Sequence, residues 1–414
     1  TPEERLQAAL VPDWEWPYKL PENWCWLKLV ESFDNHTDSK KKIKQKDYLV
    51  KGKLAVVDQG QELIGGYTND VEKSYSGALP IVIFGDHTRC IKFVDFPFAQ
   101  GADGVKVLRP KPFYLPKAFY YALQSVNIPN LGYRRHFPLF NKFSIPLPPF
   151  AEQQRIVDRI ESLFVKLDEA KEKAQAVVDS FEIRKAAILH KAFTGELTAK
   201  WREEHGVGME SWEQCSLSDV CTVNPKKVDT KDLPDELEVS FFPMPALSEI
   251  YGEITDPQTR LLKEVRSGFT NFSEGDVVFA KITPCMENGK SAVVGKLVND
   301  IGYGTTEFFV LRCSDRLYNR FLYHLVRDKL FRDKAKAVMA GAVGQQRVPK
   351  RYLETYKLNL PKFNEQREIV RILDGSFVKE QQSQEAAEAV LDQIDLMKKS
   401  ILARAFRGEL GTND

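Results

Sequence analysis

The sequence predicts two α/β (α+β) domains joined by two long antiparallel coiled-coil helices, with a pseudo-two-fold internal duplication. A block of about fifty residues occurs twice, because residues 147–197 recur as 360–410 without a gap and 23 of 51 positions are identical. Each copy carries apolar residues at heptad spacing. The unlike segment before each copy alternates short apolar runs with Gly, Pro and Asp turns. We call these unlike segments the first and second heads.

The first head is expected at residues 1–147, with strand candidates such as 79–84 and one helix near 119–123. The second head is expected at 198–360. Its sequence echoes the first, since Trp24-x4-Leu29 corresponds to Trp212-x4-Leu217. Duplication of the whole chain accounts for both the heads and the repeated block.

The first repeat, residues 148–197, predicts a long spacer helix of about 39 residues. Two prolines precede it, Glu152 lies in its first turn and Gly195 ends the pattern. Only Arg184 interrupts the apolar positions, which we call the seam. The seam residues are Ile156, Ile160, Leu163, Leu167, Ala170, Ala174, Val177, Phe181 and Ile188.

The second repeat, residues 361–414, predicts a second long helix in the same register. Ser376, Glu380 and Ser383 make its seam polar in the middle, which suggests a partner-binding face. An antiparallel pair of helices would place the heads at opposite ends, and the alternative is that each helix packs only on its own head. The apolar seam residues are Ile369, Leu373, Ala387, Val390, Ile394, Met397 and Ile401.

The amino-acid composition and charge distribution limit the classes of function that the protein can have. No apolar run approaches the roughly 18 residues that cross a bilayer, so we expect no membrane partner and a cytoplasmic location. The six cysteines contain no Cys-x-x-Cys pair and are expected to be reduced. The net charge is only +1, but residues 21–151 hold 18 Lys and Arg against 12 Asp and Glu, and residues 312–351 hold 11 against 3. Each head therefore has a positive region suited to phosphate.

Catalytic and metal-binding motifs are missing from the sequence. Gly289-Lys290-Ser291 imitates the end of a phosphate-binding loop, but Pro284 stands where its first glycine is needed. Leu147-Pro-Pro-Phe150 lacks the Asn or Asp that begins an amino-methyltransferase tetrad. The six histidines have no zinc spacing, and we expect no metal site. These absences disfavour a self-sufficient methyltransferase or nuclease.

Three sets of motifs carry a resemblance to a known family. Leu-Pro-x-Phe-x-Glu-Gln-x-x-Ile-Val opens each repeat, and Ala-Phe-x-Gly-Glu-Leu closes it. Residues 83–89 (IFGDHTR) and 132–136 (GYRRH) mark the first head, and residues 275–284 (GDVVFAKITP) mark the second. Together these motifs resemble the specificity subunit of type I restriction-modification systems.

The resemblance implies a non-catalytic subunit. Two target-recognition domains, the heads, would each read half of a bipartite, asymmetric site in double-stranded DNA, and the helices would set the spacing between the halves. Two adenine-methylating modification subunits would dock on the scaffold, and restriction subunits would join indirectly. No cofactor is expected on this chain, since S-adenosylmethionine belongs to the modification subunits and ATP with Mg to a restriction subunit. The alternative is a coiled-coil protein-interaction adaptor that reads no DNA.

The candidate residues follow from this chemistry. Base reading needs hydrogen-bonding groups at exposed strand ends, and cations position the phosphates. The DNA-binding candidates of the first head are Lys40, Lys42, Asp86, His87, Thr88, Arg89, Tyr133, Arg134, Arg135 and His136. Those of the second head are Lys281, Thr283, Lys290, Arg320, Arg327, Gln345, Gln346 and Arg347. The candidates for partner binding or for the helix scaffold are Glu152, Gln153, Ile156, Phe164, Phe193, Glu365, Gln366, Ile369, Phe377 and Phe406.

Overall fold

The computed structural model describes residues 7–412 except 250, 251, 253 and 343. The chain divides into two compact units. Unit 1 extends to Gln175 and includes the residues from Glu388 onward, whereas unit 2 is Ala176–Ala387. Each unit therefore contains one head and a part of each repeat.

The helices within the described residues are short in the heads and long in the repeats. They are α1 (Pro116–Ser125), α2 (Phe150–Asp179), α3 (Phe181–Thr194), α4 (Ala199–Glu204), α5 (Leu217–Val220), α6 (Leu262–Val265), α7 (Asn319–Arg327), α8 (Lys329–Ala337), α9 (Lys350–Thr355) and α10 (Phe363–Ala405).

The strands all lie in the heads. Those of the first head are β1 (Cys25–Lys28), β2 (Phe33–Asn35), β3 (Leu54–Val57), β4 (Gly66–Thr68), β5 (Ile81–Gly85), β6 (Ile91–Val94), β7 (Phe98–Gln100), β8 (Val105–Pro110) and β9 (Ser144–Leu147). Those of the second head are β10 (Glu213–Ser216), β11 (Cys221–Val223), β12 (Glu238–Phe242), β13 (Gln258–Leu261), β14 (Thr270–Phe272), β15 (Val277–Ala280), β16 (Ser291–Val293), β17 (Gly302–Gly304), β18 (Phe308–Cys313) and β19 (Lys357–Leu360).

The two heads share one strand order, to which the second head adds a single strand, β14. The first contains sheets β2-β8-β5-β6 and β4-β3-β7, and the second contains β11-β18-β15-β16 and β13-β12-β17-β14. In each second sheet one pair is parallel, β3 with β7 and β12 with β17. A two-stranded sheet joins the first and last strands of each head, β1 with β9 and β10 with β19. The shared order confirms the internal duplication.

The central strand β5 is buried on both faces. Val82 and Phe84 pack with Phe119 of α1 in one core cluster, while Ile81 and Ile83 pack in another. A strand covered on both sides reads as a continuous apolar run rather than as an alternating one. The polar residues that follow Phe84 therefore belong to the turn at the end of the sheet.

The long helices pack antiparallel in each unit. In unit 1, Ile156 and Ile160 near the start of α2 share a core with Leu402 and Phe406 at the end of the second repeat. In unit 2, Leu189 near the end of α3 shares a core with residues at the start of α10, Ile369 and Leu373. The start of one repeat thus meets the end of the other, which confirms the antiparallel pairing of the helices.

A glutamine at the start of each long helix fixes the helix to its head. The side-chain amide of Gln153 donates to the carbonyls of Phe113 and Pro148, and its Oε1 accepts from the Leu115 N–H at 2.7 Å. Gln366 makes the equivalent bonds to Arg316, Pro361 and Tyr318. Both side chains are fully buried, so we call this arrangement the glutamine joint.

The first long helix is interrupted at one residue. Helix α2 ends at Asp179 and α3 begins at Phe181, with φ −87 and ψ −3 at Ser180 between them. The Ser180 hydroxyl donates to the Ala176 carbonyl, and the Arg184 guanidinium donates to the Val177 carbonyl. These side chains compete with main-chain N–H groups for the carbonyls of the turn. The expected end of the helix is confirmed, since Gly195 has φ 83.

Two polar residues of the seams, one from each repeat, form an ion pair with each other. Arg184 Nε lies 2.7 Å from Glu380 Oε2, and the two side chains are 33% and 22% exposed. Two of the four polar residues in the seams, Arg184 and Glu380, therefore form one ion pair within unit 2. The partner-binding face expected around Ser376, Glu380 and Ser383 stays a prediction.

Two seam predictions in the second helix are wrong. Val390 and Met397 are 40% and 47% exposed, whereas Ala387 and Ile394 are buried. A straight helix of 3.6 residues per turn drifts relative to a 3.5-residue repeat, so an apolar residue at a heptad position can lie outside the contact. The exposed pair is therefore available to other contacts.

Candidate nucleic-acid interface

Two loops of the first head meet at the end of β5. The first is the turn 85–90 between β5 and β6, and the second is the loop 126–136 after α1. Asp86 Oδ1 accepts from the Phe137 N–H at 2.7 Å, and the Asp86 carbonyl accepts from the His136 N–H at 2.8 Å. Arg89 donates from its guanidinium to the Ile128 carbonyl at 2.9 Å. The two polar loops predicted from the sequence are thus brought together.

His136 holds the second loop from inside. Its side chain is fully buried, and its Nε2 accepts from the Leu131 N–H at 3.1 Å. Because a main-chain N–H can only donate, Nδ1 carries the ring proton and donates to the Asp86 carbonyl at 2.9 Å. Both ring nitrogens are used, so His136 supports the loops and presents no group to DNA, contrary to our expectation.

Asp86 is also part of this framework. Its side chain is 2% exposed, and Lys106 Nζ lies 3.9 Å from its Oδ2. A carboxylate that is buried and bonded to the main chain cannot reach a base edge without breaking the loops apart. The geometry therefore argues against the cytosine contact that we expected from Asp86.

Among the DNA-binding candidates of the two loops, the exposed ones are Thr88, Tyr133, Arg134 and Arg135. The ring of Tyr133 is 87% exposed and stacks on that of His87, with centroids 4.9 Å apart and planes at 14°. The Thr88 hydroxyl donates to the Gln59 carbonyl at 2.6 Å. Neither Arg134 nor Arg135 has an ion pair or side-chain hydrogen bond to any described residue. These two arginines are free for an external anion.

A cationic cluster lies beside the loops. The pKa of Lys42 is lowered, mainly by burial and next by the positive charge of the nearby Lys106. Arg135 also lowers this pKa, while Asp103 and Asp86 raise it. A bound anion would stabilise the charged form of Lys42 in the presence of these neighbouring cations. We call Lys42, Lys106 and Arg135 the cationic cluster.

Lys106 was missed by the sequence reasoning. It is the polar member of the run Val105-Lys106-Val107 in β8, and its Nζ lies 5.1 Å from the centre of the Phe137 ring. The signal that could have identified Lys106 from the sequence is a lysine between two valines of an apolar strand. Lys40, in contrast, is exposed in a short turn of 3₁₀ helix, with its main-chain N–H donating to Asp38.

The second head brings the equivalent loops together. The turn 281–290 between β15 and β16 corresponds to 85–90, and the loop 338–349 corresponds to 126–136. The Thr283 N–H donates to the Gln346 carbonyl at 3.0 Å, and the Val348 N–H donates to the Lys281 carbonyl at 2.9 Å. These bonds bring Lys281, Thr283, Gln345, Gln346 and Arg347 to one surface, and their role in DNA binding stays a prediction.

Charges on this second surface are partly neutralised. The Arg347 guanidinium holds Glu307 through two bonds, at 2.9 Å and 2.8 Å, and this hydrogen bonding lowers the pKa of Glu307. Lys281 Nζ lies 5.6 Å from the centre of the Phe309 ring. Gln345 is exposed and its side chain makes no hydrogen bond to a described residue. The exposed amide is thus the free donor and acceptor of the second surface.

Three cations of the second head serve the fold. Arg327 is buried and donates to the carbonyls of Gly289 and Glu249. Lys290 lies 3.6 Å from Glu249 Oε1. Arg320 pairs with Asp374 of α10 at 3.0 Å, as Lys117 pairs with Glu161 of α2 at 2.6 Å in the first head. The phosphate contact that we expected from Arg327 does not fit its buried position, whereas Arg320 is 46% exposed and its phosphate contact stays a prediction.

The candidates on the helices are scaffold residues. Glu152 accepts from the Trp24 indole N–H at 2.8 Å, and Glu365 accepts from that of Trp212 at 3.0 Å. Glu365 also binds Arg202 at 2.6 Å. Burial inside the chain excludes direct partner contact in this structure for Glu152, Gln153, Ile156, Glu365, Gln366, Ile369 and Phe406.

The aromatic candidates pack between head and helix. Phe164 meets Tyr121 edge-on, with ring centroids 5.9 Å apart, and Phe193 meets Phe321 in the same way at 5.4 Å. Phe164 and Phe377 occupy equivalent positions of the repeat. Each lies under an equivalent lysine, Lys398 at 5.0 Å and Lys185 at 5.9 Å.

Among the described residues, no group of three or more His, Cys, Asp or Glu side chains is arranged to hold a metal ion. Within the same part of the chain, no helix is both long and apolar enough to cross a bilayer.

The sequence of this chain is similar to that of a known protein family, and its fold is similar to that of solved structures. The family described as type I restriction modification DNA specificity domain matches residues 21–178 and 209–388, which is most of the chain. The chain therefore belongs to this family and is a non-catalytic specificity subunit of the type I restriction-modification class.

Two individual relatives match this chain over less than half of its length. The Escherichia coli type I restriction enzyme EcoEI specificity subunit is 33% identical over 213 residues, which is 49% of this chain and 35% of that subunit. The Escherichia coli EcoAI specificity subunit is 37% identical over 162 residues, which is 39% of this chain and 27% of that subunit. The matches thus span about a third of these relatives.

Solved structures share the fold over nearly the whole length. The HsdS subunit from Thermoanaerobacter tengcongensis has 20% identity and a TM-score of 0.58, covering 95% of this chain and 99% of that one. A chain from a study of complex assembly and conformational transition of the type I R-M system has 19% identity and a TM-score of 0.63, covering 95% and 100%. At this identity the likeness shows the fold alone.

Proposed function

We propose that the two heads read the two halves of a bipartite, asymmetric DNA site and that the long helices set the distance between them. Residues 1–147 and 198–360 would be the two target-recognition domains, and residues 148–197 and 361–414 the spacer helices. The proposal rests on one observation: the two heads present equivalent pairs of hydrogen-bonded loops that carry different side chains. Equivalent loops with different chemistry fit an asymmetric target rather than a palindrome.

Within each head, some exposed side chains would bind phosphates and others would read bases. In the first, Lys40 and the cationic cluster would bind phosphates, while Thr88 and Arg134 line the same surface. Arg135, at the edge of the cluster, is also able to bind guanine through two hydrogen bonds. In the second, Gln345 would read a base edge, and its amide matches the donor and acceptor of adenine. Lys281, Thr283, Gln346 and Arg347 would frame this contact.

The same scaffold would dock two modification subunits. Exposed apolar side chains recur at the offset of 213, which gives each unit an equivalent set. Unit 1 has Phe150, Val165 and Leu396, exposed by 56%, 58% and 64%, and unit 2 has Phe363, Val378 and Ile183, exposed by 40%, 55% and 72%. A repeated exposed apolar set fits a partner that binds in two copies.

Those partners would supply the chemistry. The modification subunits would carry S-adenosylmethionine and methylate adenine, and restriction subunits with ATP and Mg would join through them. This chain would contribute recognition and spacing.

Methylation mapping tests the proposal. The chain is co-expressed with its modification subunit, and the methylated motif is compared for the wild type, Arg135→Ala and Gln345→Ala. Each variant should relax or weaken one half of the motif and leave the other half unchanged. Loss of both halves together in either variant, or a motif indifferent to both, would contradict separate reading by the heads.

A further inference from the structure

The stacked rings of Tyr133 and His87 form an exposed aromatic platform in the first head. One face of the Tyr133 ring lies against His87, and the side chain is nevertheless 87% exposed. A large aromatic side chain that is not covered presents a π surface to whatever binds this part of the head.

The platform is held in place from below. The His87 N–H donates to Gln59 Oε1 at 3.2 Å. Gly104 permits this approach, because a Cβ at that position would lie 2.9 Å from His87 Cδ2 and 2.5 Å from Gln59 Oε1. The loop that carries Tyr133 is fixed by the bonds of His136. The orientation of the ring is therefore set before any ligand arrives, which lowers the entropic cost of binding.

Cations flank the platform. Arg134 and Arg135 follow Tyr133 directly, are exposed, and have no ion pair to a described residue. Arg135 also belongs to the cationic cluster with Lys42 and Lys106. An aromatic face beside cations that bind phosphate is the combination by which proteins stack on unpaired or unstacked bases.

The second head provides an internal comparison. Its equivalent loop, residues 338–349, contains no aromatic residue in the sequence, and Gln345 is exposed there instead. The platform is therefore a property of the first head and not of the shared fold.

We propose that Tyr133 stacks on a nucleobase of the first half-site and opens one base step there. This inference rests on the proposed function. Insertion of a side chain between base pairs unstacks them at a cost that depends on the step, and flexible steps such as TA and CA are opened most easily. Tyr133 would thus impose a preference at a step without a hydrogen bond to either base.

The test uses 2-aminopurine, whose fluorescence rises when it is unstacked. After the methylated motif has been mapped, the probe is placed in turn at each position of the first half-site. Complexes of the chain with its modification subunits are compared for wild type, Tyr133→Phe, Tyr133→Ala and Lys173→Ala, a control at an exposed lysine of α2. A probe at the methylated adenine is measured separately, because its signal depends on the modification subunit.

In wild type, Tyr133→Phe and Lys173→Ala, fluorescence at one position other than the methylated adenine should rise several-fold on binding. Tyr133→Ala should lose this rise at saturating protein, keep the signal at the methylated adenine, and bind about tenfold more weakly. The midpoint of thermal unfolding of the chain should be unchanged, since the ring is exposed.

The result that overturns the inference is equally specific. Tyr133 is not a stacking residue if no position other than the methylated adenine responds in the wild type, or if Tyr133→Ala gives the wild-type response. A lowered unfolding midpoint with an unchanged fluorescence response would assign the ring to the fold instead. Failure of the wild-type complex to bind the mapped sequence would reject the proposed function, whereas binding without the fluorescence rise would reject only this inference.

Discussion

At the scale of single residues, His136 and Asp86 form the framework that holds the recognition loops together. We expect His136→Ala to destabilise the chain by about 1–3 kcal/mol, because the Leu131 N–H and the Asp86 carbonyl lose their buried partner. Urea unfolding measures the change. Arg134→Ala is the matched control, since the exposed arginine should shift the free energy of unfolding by no more than about 0.5 kcal/mol. Equal losses in the two variants would contradict the division between framework and surface.

Lys42 of the cationic cluster should act on phosphate rather than on bases. Lys42→Ala is expected to weaken specific and random DNA alike and to lower the slope of log affinity against log salt by about 1. Fluorescence anisotropy at several salt concentrations gives both quantities. Lys173→Ala, an exposed lysine on α2, is the control and should leave the slope unchanged. A loss confined to the specific sequence would assign Lys42 to base reading.

Sequence reasoning found the loops but not the orientation of their side chains. The apolar run of β5 predicted that polar residues would follow at its end, and the structure places the turn there. Whether a polar side chain points outward depends on contacts with residues far away in sequence, such as Asp86 with His136 and Phe137. Arg89 shows the same limit, because its guanidinium serves Ile128 and its φ is 61.

At the scale of secondary-structure elements, the ion pair of Arg184 and Glu380 fixes how the long helices of unit 2 meet. The residue equivalent to Arg184 in the second repeat is Met397, and the residue equivalent to Glu380 in the first repeat is Leu167. The repeat itself therefore offers an apolar replacement for each member of the pair. We expect Arg184→Met and Glu380→Leu each to destabilise by about 1–3 kcal/mol, because each leaves a partly buried charge unpaired. The double variant should recover most of the loss.

Chemical unfolding of the four chains completes this double-mutant cycle. The sum of the single losses would be larger than the loss in the double variant if the two residues act as a pair. Additive losses would mean that each side chain contributes independently. The half-buried position of the pair keeps its own net contribution small, as buried ion pairs often add specificity rather than stability.

The repeated helices were the most predictable elements. A heptad pattern and a terminal glycine are local signals, and both ends of the first helix were found from them. The interruption at Ser180 and the exposure of Val390 and Met397 were not predictable, because they depend on where the partner helix lies. The pairing of Arg184 with Glu380 needed the register between two segments 196 residues apart.

At the scale of the whole molecule, the helix length should determine the gap in the DNA target. Inserting seven residues between Ala174 and Gln175, and seven between Ala387 and Glu388, keeps the heptad register at equivalent positions of the repeat. The helices lengthen by about 10 Å, at about 1.5 Å per residue. At about 3.4 Å per base pair this corresponds to roughly three base pairs.

Methylation mapping of this variant should report a longer unspecified gap with both half-sites unchanged. A seven-residue insertion after Gly206, outside the long helices, is the control and should leave the gap as it was. An unchanged gap in the helix variant would remove the helices from the role of a ruler.

The glutamine joint has a consequence for how such chains diversify. Gln153 and Gln366 bind main-chain carbonyls and N–H groups of the head, and these groups are present whatever side chains the head carries. A joint of this kind tolerates an exchanged head, provided that the exchanged segment keeps the same turn at its attachment point. Under the proposed function, new target specificities would arise by recombination of whole modules that keep this turn and the side chains packed against the helix, such as Trp24 on Glu152.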